Sequence, residues 1–260
     1  MSKSFILFVA FIIFSECILA QVSNYPEKKL EAVCIVGSSV GTSYEERTEE
    51  IAVSLESNNV KVHRFYDGNN NWDRIKKAAE NCTFFIYSGH GTTAGMDGGF
   101  GGMVIENFIS TSTIKEELVF KNQPLVIYLN ACGSAGSSAD DVGDIGSLEA
   151  QKRIVGTATP FILIGAKGFY ANNYFGGAKM FVNNMLDNMN IHEAFLKNIY
   201  SLKVIKNEPI KDKRISSIYN IAFTTDRVYD KTKKKYRGYD IAYVGIPTYR
   251  LNVSQILSKK

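Results

Sequence analysis

Two stretches decide the fold: Thr83-Phe84-Phe85-Ile86-Tyr87-Ser88-Gly89-His90-Gly91 and Leu125-Val126-Ile127-Tyr128-Leu129-Asn130-Ala131-Cys132-Gly133. Each opens as a run of apolar, β-branched and aromatic residues. Each closes on small residues that carry one reactive side chain. A strand buried on both faces reads as such a run rather than as an alternation, so both are expected at the centre of a parallel sheet.

Working outward, the same logic gives a strand at Ala32 to Val36, ending in Gly37-Ser38-Ser39, and an alternating strand from Val60 to Tyr66. Helical periodicity covers Tyr44 to Leu55, Trp72 to Ala79, Thr113 to Val119, Gly177 to Leu186 and Ile191 to Tyr200. Short strands are expected at Met103 to Ile105, Pro160 to Ile164, Ser217 to Phe223 and Ile241 to Val244. Cys132 is followed by a small-residue loop to about Ser147, and Lys203 to Arg214 reads as a long polar connection. Strands alternating with helices predict an α/β sandwich, a mostly parallel sheet with helices on both faces. Residues 21–260 are expected to form one domain.

The chain has 260 residues, 45% hydrophobic and 22% charged. That composition excludes a disordered, collagenous or disulfide-scaffold protein. The net charge of +4 is modest. Lys231, Lys233, Lys234, Lys235 and Arg237 read as a solvated hairpin tip. No interleaved aromatic platform accompanies them, so no nucleic-acid partner is expected.

At the N-terminus, Lys3 precedes an apolar stretch from Phe5 to Phe14, and the small Ala20 is followed by Gln21. This is the order of a secretory signal. Ser15, Glu16 and Cys17 make the stretch a poor membrane span. Residues 1–20 are therefore expected to be cleaved near Ala20, leaving an exported protein with no stable membrane anchor. Cys34, Cys82 and Cys132 then remain, an odd number that leaves at least one free thiol. Cys34 and Cys82 read as buried small hydrophobes, with pairing between them left open. Asn81-Cys82-Thr83 and Asn252-Val253-Ser254 match the glycosylation pattern.

Sites in open parallel sheets collect beyond the carboxyl ends of the strands, where His90 and Cys132 both fall. A thiol is weakly ionised at neutral pH, and an adjacent imidazole takes its proton or holds the thiolate. Cys132 is thus a candidate nucleophile and His90 its base. His63, inside a strand, and His192, at a helix start, compete poorly. The backbone N–H groups of Gly91 and Cys132 are placed to face a developing oxyanion, roughly 10²–10³ in rate per donor.

At these residues the chain resembles the caspase-like cysteine peptidase superfamily: caspases, metacaspases, legumain, gingipains, separase and CHAT domains. The resemblance lies in Phe85 to Thr92 and Val126 to Ser134, with His before Cys. Gly245-Ile246-Pro247-Thr248 adds a weaker likeness to gingipain-like members, Ile246 standing where those have Asp. The resemblance implies a caspase-like sandwich and acyl transfer through a thioester on Cys132. His90 protonates the leaving amine, and neither a metal nor a cofactor is required. The partner it implies is a protein or peptide substrate.

Specificity is left with two readings. Asn130 stands where metacaspase-like members carry an acid for a basic P1 side chain. Asp140, Asp141 and Asp144 offer that charge instead. The segment Gly165 to Phe175, which walls the S1 pocket in relatives, offers Phe169, Tyr170, Asn172 and Asn173, which suit a polar uncharged or small P1. Lys152-Arg153 is expected as a self-processing site. The rival to an enzyme is a catalytically silent caspase-like binding or signalling module. An amidase elbow of Gly-x-Cys-x-Gly is absent, as is any Cys-x-x-Cys pair.

Overall fold

The computed structural model describes residues 29–66, 68–92, 100–173, 177–199, 204–225, 228–230 and 235–251. The signal-like segment, the core of the basic run and the Asn252 glycosylation pattern lie outside them.

The strands that read as continuous apolar runs form the middle of an eight-stranded sheet. In chain order its first half is β1 (Glu31–Val36), β2 (Lys61–Phe65), β3 (Phe84–Ser88), β6 (Leu125–Leu129) and β7 (Gly168–Asn172). These five are all parallel, in the spatial order β2-β1-β3-β6-β7. The sheet continues with β12 (Ile241–Gly245), β9 (Asn220–Thr224) and β8 (Val204–Pro209), each antiparallel to its neighbour. Two short hairpins stand apart, β4 (Met103–Val104) with β5 (Phe108–Ile109), and β10 (Val228–Asp230) with β11 (Lys235–Arg237).

Alternate residues of the central strands face opposite layers. Val33, Ile35, Phe85, Tyr87, Val126 and Tyr128 pack on one side with helices α2 (Trp72–Ala79), α3 (Thr111–Glu117) and α4 (Gly146–Leu163). Ala32, Cys34, Phe84, Ile86, Leu125, Ile127 and Leu129 pack on the other with α1 (Thr42–Ser57), α5 (Gly177–Leu186) and α6 (Ile191–Asn198). The three-layer α/β sandwich is therefore the one expected. Cap chemistry starts several helices: Asn71 and Ser110 accept from the main-chain N–H three residues on, and Asn190 with Glu193 forms a reciprocal capping box.

Three expectations are corrected. Pro160 to Ile164 is not a strand but the last turn of α4 and its C-cap, Ile164. Proline disfavours a helix interior, yet Ala150, Ile154, Ala158 and Phe161 recur at helical spacing and are all buried. Burial of that stripe outweighs the local preference. The strand that follows is β7, so Gly168–Asn172, within the stretch read as a pocket wall, is itself central sheet. The connection from Lys203 to Arg214 contains β8. Cys34 and Cys82 are free and belong to opposite sides of the sheet, which is why they do not pair.

Candidate active site

The parallel register fixes the candidate site. Ser88 at the end of β3 lies opposite Leu129 at the end of β6, and Leu129 opposite Asn172 at the end of β7. The chain therefore leaves all three strands at one edge. The Gly89 N–H donates to the Leu129 carbonyl at 3.3 Å, and the Asn130 N–H to the Asn172 carbonyl at 2.9 Å. Asn130 holds a left-handed φ of 52°, a conformation asparagine tolerates better than most residues. From there the chain turns tightly. Ser134 N–H and Oγ both donate to the Ala131 carbonyl, and Gly133 N–H reaches the Ser137 carbonyl at 2.9 Å. Cys132 sits half-exposed on that turn.

Gly91 lies directly against it. A methyl group on the Gly91 Cα would come 2.6 Å from the Cys132 carbonyl oxygen and 2.9 Å from the Cys132 nitrogen. The His90-Gly91 and Ala131-Cys132 segments are thus packed together, as the sequence predicted for neighbouring strands. The exposed His90 ring is held from a third strand end. Its Nε2 is 3.2 Å from the carbonyl oxygen of Ser39, in the loop after β1. A carbonyl only accepts, so this contact takes Nε2–H and leaves Nδ1 of the neutral ring as the acceptor.

The remaining thiols are buried, where Cys132 is half-exposed. Burial pushes Cys34 up to about 12 and raises Cys82 further, so both are inert at neutral pH. His63 is engaged by Glu31 at 2.6 Å and His192 by the Tyr243 hydroxyl at 3.1 Å. Among the described residues no group of three or more His, Cys, Asp or Glu side chains is placed to hold a metal ion. Nor does any described helix have the length and apolarity to cross a membrane.

The residues expected to bind substrate divide. Asn130 and Asn173 lie at this edge, and the Nδ2 of the first and Oδ1 of the second are shielded from solvent without a hydrogen-bond partner. Asn173 donates through Nδ2 to Ser137 Oγ at 3.1 Å. Phe169 does not join them: it is 1% exposed, stacked on Phe161 and packed on Tyr128 in the core. Tyr170 stacks on Phe181 in the opposite layer, and Asn172 Nδ2 donates to its hydroxyl at 2.9 Å. Period-two alternation within β7 explains both, since its side chains enter the two helix layers. Asp140 is exposed. Asp141 is committed to Arg153 at 2.7 Å and to the Ser138 N–H. Asp144 accepts from the Gly146 N–H at 3.0 Å.

Lys152-Arg153 is corrected as a processing site. It lies within α4, where Arg153 is 8% exposed and bonds Glu149, Asp141 and the Gly136 carbonyl. A protease needs the chain extended, and this segment is helical.

Three neighbours went unread in the sequence. Ser137 Oγ donates to Asp240 Oδ1 at 2.9 Å, at the start of β12. Because β12 runs antiparallel, its first residues reach the edge where β6 and β7 end. Tyr44, in the first turn of α1, lies within electrostatic reach of Cys132; burial first and that thiol second hold its phenol above its usual range. Asp240 belongs to no motif. Only the Gly37-Ser38-Ser39 strand end signalled the loop that meets His90.

No family model and no curated protein matches the chain. Among solved structures it is similar to gingipain R, described as an Arg-specific cysteine proteinase, at 14% identity and a TM-score of 0.41. The alignment covers 85% of this chain and 61% of that one, so the chain spans about three fifths of that protein's length.

Proposed function

We propose that the chain is an exported cysteine endopeptidase of the caspase-like type, with Cys132 as nucleophile and His90 as base. One observation carries this reading. Gly91 backs onto the Cys132 peptide while the Ser39 carbonyl holds His90 Nε2, so the residue after His90 abuts the main chain of a half-exposed thiol, and the ring keeps Nδ1 as its acceptor.

In the reaction, Nδ1 of His90 takes the Cys132 proton and the sulfur attacks the scissile carbonyl. The main-chain N–H groups of Gly91 and Cys132 stabilise the oxyanion. The C–N bond then breaks, the leaving amine takes the proton from His90, and water hydrolyses the thioester. The P1 side chain meets the polar group of Asn130, Ser137, Asn173 and Asp240. With Asp141 committed to Arg153, Asp240 is the acid of that group and favours a cationic P1. Export rests on the signal-like order of residues 1–20.

The test is hydrolysis of a peptide library by the full chain, Cys132→Ala and His90→Ala. Cleavage by the wild type and none by either folded variant is expected. A silent wild type whose Cys132 also resists a thiol-directed inhibitor overturns the reading in favour of a binding module.

A further inference from the structure

Beneath His90 lies a phenol that the catalytic reading leaves without a role. Tyr87 is the penultimate residue of β3, fully buried, with its ring 5.0 Å from that of Tyr128. Its hydroxyl accepts from the Val104 N–H at 2.9 Å. It has two carbonyls within reach, His90 at 2.7 Å and Val104 at 3.3 Å. A hydroxyl carries a single proton, so the shorter contact, to His90, is the bond it makes. The fit is close: a methyl group on Gly89 would come 2.5 Å from the phenol oxygen.

The contacts continue in a ring. The Val104 carbonyl accepts from the Ser38 N–H at 3.1 Å. The next residue, Ser39, holds a φ of 61° and turns its carbonyl to His90 Nε2. The path from the His90 carbonyl through Tyr87, Val104 and the Ser38–Ser39 loop thus returns to His90, touching its main chain at one point and its ring at the other.

We propose that Tyr87 is the positioning residue of His90, its hydroxyl closing a hydrogen-bonded circuit that fixes the main chain and the ring together. The inference rests on the Cys132–His90 reading and adds to it the device that sets the ring's orientation and tautomer. The short β4–β5 hairpin becomes part of that device through Val104. Burial raises the Tyr87 phenol well above its usual range, so it stays a donor across the working pH range. The other titratable groups around the circuit, among the described residues, are Cys132, Tyr44 from α1 and Tyr128 from β6.

The test needs no substrate. Alkylation of Cys132 by iodoacetamide is followed by peptide mass mapping across pH in the full chain, Tyr87→Phe, Tyr128→Phe and His90→Ala. Unmodified Cys34 and Cys82 report an intact fold. Tyr87→Phe is expected to slow Cys132 alkylation about tenfold near pH 6.5, the scale on which small misplacements act. Near pH 9.5, where a thiol ionises unaided, its rate stays within about twofold of wild type. A merely structural loss would not divide by pH in this way, and Tyr128→Phe should follow wild type throughout.

If Tyr87→Phe overlays wild type while His90→Ala loses the low-pH reactivity, the positioning role is overturned and the dyad stands. If His90→Ala overlays wild type, the dyad reading falls and the proposal falls with it. Should Tyr87→Phe expose Cys34 or Cys82, 3-fluorotyrosine at position 87 replaces it, keeping the ring and strengthening the donor. Its low-pH rate must then shift, and an unchanged profile overturns the proposal.

Discussion

The Cα of Gly91 and the peptide of Cys132 are in such close contact that no side chain fits between them. Gly91→Ala forces the ends of β3 and β6 apart, and Cys132 with them. Peptide hydrolysis is expected to fall about 100-fold, the cost of a misplacement near 1 Å, with KM little changed. Steady-state kinetics check this, and equal losses of binding and turnover would show that the contact shapes the cleft instead.

In the proposed reaction Asp240, bonded to Ser137 beside Asn173, supplies the negative charge for a cationic P1. Asp240→Asn should lower kcat/KM at least about tenfold for peptides with Lys or Arg at P1, in line with about 1.5 kcal/mol or more for a bond to a charged group. Peptides with uncharged P1 residues should change less than about twofold. A uniform loss across the panel would remove Asp240 from the pocket.

Arg153 joins α4 to the loop after Cys132. With Asp141 it forms a pair only 10% and 12% exposed, and it also caps the Gly136 carbonyl. Arg153→Ala leaves the Asp141 carboxylate with only the Ser138 N–H and takes the guanidinium from the Gly136 carbonyl, at a cost of about 3 kcal/mol. Denaturant titration measures it. The chain should also remain uncut at 152–153 during activity assays, as intact mass would show.

On the far edge, Arg64 of β2 bridges Glu49 and Glu56 of α1. The guanidinium holds both carboxyls below their usual range. A depressed folded-state value stabilises above the unfolded value, near 4.3 for Glu, and the gain is lost as pH falls through the folded one. These side chains are partly exposed, so Arg64→Met should cost about 1 kcal/mol at neutral pH. That difference should shrink toward zero below about pH 4. Thermal melts across pH read it directly.

The Tyr128 hydroxyl is buried without a partner. Removing it relieves an unpaid desolvation, so Tyr128→Phe is expected to raise stability by about 1 kcal/mol. A lower melting temperature would reveal a partner for that hydroxyl.

The parallel strands were legible because burial on both faces writes the same apolar run at Phe84–Ser88 and Leu125–Leu129. Their small-residue endings pointed to His90 and Cys132 without any knowledge of contacts. Helix α4 was not legible, since the local rule against proline speaks in the sequence while the packing of Phe161 in the core does not. β7 was hidden for a related reason: Phe169 to Asn172 mixes aromatic and amide residues that suit a pocket wall as well as a strand. Asp240 was out of reach because its place depends on the direction of β12, and pairing direction is a property of the whole sheet.

That reversal of direction separates two tasks. The proposed reacting pair, His90 and Cys132, is carried by the parallel half of the sheet, locked by register and by the Gly91 contact. Asp240 arrives from the antiparallel half, just ahead of β12, where its carbonyl accepts from the Asn173 N–H at 2.8 Å. On the proposed reading, changes at the Asp240 side chain would retune which side chains are accepted while the Gly91 contact keeps the reactive pair in place, a modular arrangement in which preference can drift faster than chemistry.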